Sequence, residues 1–125
     1  MRAQNRANPL EKEPFAQQHQ DFQLYVFANG GWVQAYNDFK ILAPSPWIYH
    51  HFWELIKGWD AGQQQLQGIE NDLLRHHTEY IIDYSPQLHW LDKSADLSWN
   101  NFLRSYYQQI HLPGASPNCL LWRRR

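Results

Sequence analysis

Three stretches of this chain carry apolar side chains at α-helical spacing, and that periodicity limits the folds open to it more than any other feature. In the segment 46–59, Ser45 offers a cap and Pro46 stands at the first helical position. Ile48, Phe52, Leu55, Ile56 and Trp59 then gather with Tyr49 and Trp53 on one arc, leaving Trp47, His50, His51, Glu54 and Lys57 opposite. The segment 63–80 sets Leu66, Ile69, Leu73, Leu74, Tyr80 and Ile81 on one side. A last stripe, over 96–111, runs through Trp99, Phe102, Leu103, Tyr106 and Ile110. Two further helices are expected over 14–28, with Phe15, Phe22, Tyr25 and Val26, and over 31–41, with Trp32, Ala35, Tyr36 and Phe39. Asn29-Gly30-Gly31 would stop the first of them. The rival for 22–36 is a β-hairpin, because Phe22 to Phe27 is rich in strand formers and Asn-Gly is a turn signal. Five helices joined by short connections predict an all-α fold, a compact irregular bundle.

At 125 residues the chain is the size of one domain. The expected division is a flexible leader over 1–9, a single helical domain over 10–118, and a C-terminal tail with a basic end over 119–125. The apolar run Cys119-Leu-Leu-Trp122 should fold back onto the body. A lone cysteine, Cys119, excludes an internal disulfide and a cysteine-based zinc site. No run of about 18 apolar residues is present and no hydrophobic stretch follows the first basic residues, so neither a membrane span nor a secretory signal is expected. The expectation is a soluble protein of the cytoplasm.

Charge is distributed unevenly. All twelve acidic residues lie between Glu11 and Asp96, and only six basic residues lie from Lys12 to Arg104. That body is acidic, and Arg2, Arg6, Arg123, Arg124 and Arg125 at the two ends compensate it to a net charge of -1. Nucleic acids bind to a basic patch or a long basic arm, which the pattern does not offer through the folded body. The terminal arginines read as a solubilising end.

The paired histidines His50-His51 and His76-His77, with Glu54 and Glu79 nearby, have the residue types of a bundle metal site, but they fall on polar arcs whereas such ligands project inward. No metal and no cofactor is expected. Glu70 and His77 project within the apolar arc of 63–80, where a carboxylate is costly unless it finds a partner. No phosphate loop is evident, since Asn29-Gly-Gly lacks the lysine and serine such loops use. On the last stripe, Arg104 and His111 lie seven apart on one helical face, flanked by Asn100 and Tyr107. The run Arg104-Ser-Tyr-Tyr-Gln-Gln-Ile-His111 resembles the arginine–histidine motif of HEPN ribonucleases, small all-α proteins whose motif helices meet across a dimer. Ser105 stands where those proteins often carry Asn or Asp. The resemblance implies metal-independent RNA cleavage with Arg104 and His111 at the scissile phosphate.

Seven Trp and seven Tyr exceed what a domain of this size needs for its core, and such residues anchor protein interfaces. The preferred expectation is therefore a non-catalytic protein-binding domain, an adaptor, inhibitor or subunit. Its contact would be Trp47, His50, His51 and Glu54, and its partner another protein, basic if it complements the acidic body, or a second copy of the chain.

Overall fold

The structure, a computed structural model, describes residues 10–27, 34–45, 60–83, 93–111 and 120–125. In chain order its elements are α1 (Pro14–Gln17), β1 (Leu24–Phe27), α2 (Gln34–Phe39), α3 (Asp60–Arg75), β2 (Tyr80–Asp83), α4 (Lys93–Tyr106), β3 (Tyr107–Ile110) and β4 (Leu120–Arg124). The fold is α/β and not the expected all-α bundle. The four strands form one mixed sheet in the order β1-β2-β4-β3. β1 and β2 run parallel, Leu24 opposite Tyr80 and Phe27 opposite Asp83. β4 is antiparallel to both its neighbours, with Ile81 and Gln109 both facing Trp122 in register.

The periodicity misled because β1, β2 and β3 each continue a helical stripe. The expected helix 14–28 ends after one turn and becomes β1, whose four residues are all buried. The expected helix 63–80 begins at Asp60, ends at Arg75 and gives way to β2, also buried throughout. A four-residue strand covered on both faces shows no polar alternation, so its apolar run can be mistaken for more of the preceding helix. The last expected helix, 96–111, runs from Lys93 to Tyr106 and passes directly into β3. The hairpin rival fails as well: β1 forms, but its partner is β2, and Gln34–Phe39 is a helix. The helix expected over 46–59 lies outside the described residues.

Helix endings show what cut the stripes short. His19, Lys40 and His77 follow α1, α2 and α3 with φ of 53°, 57° and 53°. In each case the next amide reaches back past the turn: Gln20 N–H to the Phe15 carbonyl at 2.8 Å, Ile41 to Tyr36 at 3.0 Å, Thr78 to Leu73 at 3.1 Å. This is the Schellman ending, which usually takes glycine; here histidine or lysine occupies the left-handed position, so the sequence carries no glycine stop there.

Strand alternation divides the core in two. Tyr25, Phe27, Ile81, Tyr107 and Trp122 point to the face covered by α3 and α4, where they pack with Leu66, Ile69, Leu73, Trp99 and Leu103. Leu24, Val26, Tyr80, Ile82 and Leu121 point to the other, packing with Phe15, Ala35 and Phe39 from α1 and α2. Each fully buried side chain of this size contributes about 1.5 to 3 kcal/mol relative to exposure. Trp99 packs at a tilt against Phe27 with ring centroids 4.4 Å apart and donates its indole N–H to buried Asp83 at 3.2 Å. Leu120–Arg124, expected within a tail, is an inner strand of the sheet, and Leu121 and Trp122 enter the two cores. Among the described residues no helix is long and apolar enough to cross a membrane.

Candidate anion-binding groove

Because β4 runs antiparallel between β2 and β3, its last residues emerge at the end of the sheet where those two strands begin. Arg123, Arg124 and Arg125 are fixed there by the ladder. The Arg124 N–H donates to the Glu79 carbonyl at 2.8 Å and the Arg125 N–H to the Tyr106 carbonyl at 3.1 Å. The Arg125 guanidinium donates to the Arg104 carbonyl at 3.1 Å, which ties the strand end to the last turn of α4. Arg123 pairs with Glu79 at 3.1 Å and lies over the Tyr80 ring, 5.6 Å from its centroid.

Between these side chains opens a groove of about 490 Å³, lined by Gln23, His77, Glu79, Gln108, Arg123, Arg124 and Arg125. The lining brings together three arginines and one glutamate, with Arg123 already paired to Glu79. Arginine presents a planar fork of N–H donors matched to carboxylate and phosphate oxygens, and glutamine amides add neutral donors. Donors of this kind are chemically suited to anionic oxygen. Its rim is also strained. Phe22, next to Gln23, has φ 70°, unusual for a bulky residue, and His77 has φ 53°. Phe22 is held there by its N–H to the Leu42 carbonyl at 2.9 Å and by the Thr78 hydroxyl, which donates to its carbonyl at 2.7 Å. Its ring stacks on His76 at 4.2 Å. Backbone strain of this kind collects at binding sites, where surrounding structure over-determines it.

The residues singled out in the sequence are placed differently. Arg104 is exposed in the last turn of α4, while His111 is exposed beyond β3. About 16 Å of extended chain separates the helix end from His111, so the two do not share a helical face as the ribonuclease motif requires. Arg104 instead donates to the Asn101 side chain at 3.2 Å, and only its backbone carbonyl meets the Arg125 guanidinium. Glu70 and His77 do not share a buried site: His77 is exposed at the groove, and Glu70 is half-buried on α3. Burial raises the Glu70 carboxyl from 4.5 to about 7, and its Oε2 accepts no hydrogen bond among the described residues. Glu79 pairs with Arg123 rather than with His76. Trp47, His50, His51 and Glu54 lie outside the described residues. Among those described, no cluster of three His, Cys, Asp or Glu side chains could hold a metal ion.

Sequence reasoning missed the groove because three terminal arginines look like a tail until the strand before them is placed. The signal was the apolar run Leu120-Leu-Trp122 directly ahead of them, which is strand-forming and too apolar to stay in water. Comparison of the chain with protein-family models, with curated proteins and with solved structures finds no match, so the chemistry of the groove alone carries the functional reading.

Proposed function

We propose that this chain is a non-catalytic protein-binding domain that engages its partner through the arginine-lined groove. The observation that carries the reading is the position of Arg123, Arg124 and Arg125 on and just after an inner strand of the sheet. A backbone held by a ladder need not be ordered on binding, unlike that of a mobile tail. The lining supplies hydrogen-bond donors and charges of the kind that recognise a ligand. Three carboxylates of the acidic body are already engaged: Asp72 with Arg75, Glu79 with Arg123, and Glu13 as acceptor from the Tyr80 hydroxyl. The groove thus favours an acidic partner over the basic one suggested by net charge.

The test is site-specific photo-crosslinking in cells from Gln108 in the groove, with exposed Leu97 on α4 as the control position. Capture should concentrate at Gln108 and disappear in the Arg124→Glu, Arg125→Glu double variant. Equal capture from both positions, or capture that survives charge reversal, would overturn the reading.

A further inference from the structure

The two edges of the sheet are finished differently. At β1, the outward N–H of Val26 donates to the Tyr36 hydroxyl at 2.9 Å, so α2 closes that edge. At β3 the direction of the backbone follows from the ladder. The Arg124 N–H turns toward β2, bonding the Glu79 carbonyl. Backbone groups alternate in direction along an antiparallel strand, so Trp122 also turns toward β2, while Arg123 and Leu121 turn toward β3. Their register partners are Gln108 and Ile110, which leaves Gln109, opposite Trp122, with its N–H and C=O turned away from β4. Gln109 is exposed, and no described element pairs with it. An open strand edge is a template for one more strand.

This edge, open among the described residues, adjoins the groove: Gln108 of β3 is part of the lining, and Arg124 stands opposite Tyr107 at the start of β3. Resting on the binding reading above, we infer that the occupant is an acidic peptide in extended conformation that adds to the sheet as a fifth strand alongside β3. Main-chain hydrogen bonds to Gln109 would hold its backbone while Arg123, Arg124 and Arg125 take its carboxylates. A second copy of β3 is a poorer occupant. Its own exposed residues there, Gln108 and Gln109, are neutral and offer the arginines no opposing charge.

The probe is a fluorescein-labelled seven-residue peptide alternating glutamate and valine, titrated with the full chain and followed by fluorescence anisotropy. Binding should weaken with added salt and fall at least about tenfold in the Arg124→Glu, Arg125→Glu variant. It should fall by a similar factor when alternate peptide nitrogens are methylated, and in Gln109→Pro, whose proline removes the outward donor and also locks φ. The methylated peptide leaves the protein untouched, so the strand claim stands or falls even where Gln109→Pro does not fold. Binding lost on charge reversal but indifferent to methylation refutes strand addition and leaves the groove reading intact. Binding indifferent to charge reversal refutes both. Tighter binding of a uridine oligonucleotide of equal charge, or dimerisation through β3 in sedimentation, also overturns the inference.

Discussion

Glutamine in place of Glu70 should stabilise the protein at neutral and alkaline pH and do nothing in acid. Burial on α3 raises the carboxyl from 4.5 to about 7. Below pH 4.5 the group is protonated in both folded and unfolded chains and costs nothing. Between pH 4.5 and 7 the unfolded chain releases the proton while the folded one keeps it, so stability falls as pH rises through that window. Above it the folded protein carries a half-buried charge, and the loss stays constant. Without solvent screening a shift of that size corresponds to a loss of about 3 kcal/mol. Glu70 keeps part of its surface in water, and solvent screening reduces the loss to about 1 to 2 kcal/mol. Glutamine has nearly the same shape and does not ionise. The difference in unfolding free energy between Glu70→Gln and the parent chain should open from near zero at pH 4 to about 1 to 2 kcal/mol at pH 8, or about 4 to 8 °C in Tm. Urea unfolding followed by tryptophan fluorescence measures it, with the buried Trp99 as reporter. Every other titrating group is common to the two proteins, so their difference isolates Glu70. A difference that is flat with pH, or that is largest in acid, would refute the reasoning.

Two further perturbations test the fold. Deleting residues 120–125 removes the strand that bridges β2 and β3 and carries Leu121 and Trp122 into the two cores; the truncated chain should show no cooperative thermal transition by near-UV circular dichroism, and a preserved melt would make the segment a tail. His77→Gly relieves a side chain held at φ 53° and should raise stability by up to about 1 kcal/mol, after the entropy glycine adds to the unfolded chain; a lowered Tm would mean that the histidine ring stabilises the helix end.

The sequence alone determined the parts of the fold that are local. In α3 and α4 the apolar residues recur at helical spacing, and Leu66, Ile69, Leu73, Trp99, Phe102 and Leu103 are buried as that spacing requires. Helical hydrogen bonds close within a few residues, so the pattern that buries one face is written in the segment itself. The strands are not local. Leu24–Phe27 needs Tyr80–Asp83, and Tyr80–Asp83 needs Leu120–Arg124. Nothing within four residues buried on both faces announces the partner or even the period. The helix ends were hidden for a different reason: His19, Lys40 and His77 accept a left-handed backbone that is usually left to glycine, because the reverse amide bond and the packing beyond it outweigh the local penalty. The charge of Arg123, Arg124 and Arg125 was legible from the first reading, but a charge becomes a site only when its position is fixed. Tertiary pairing decided that, by drawing the end of the chain into the middle of the sheet, where the ladder holds its backbone against Glu79 and Tyr106.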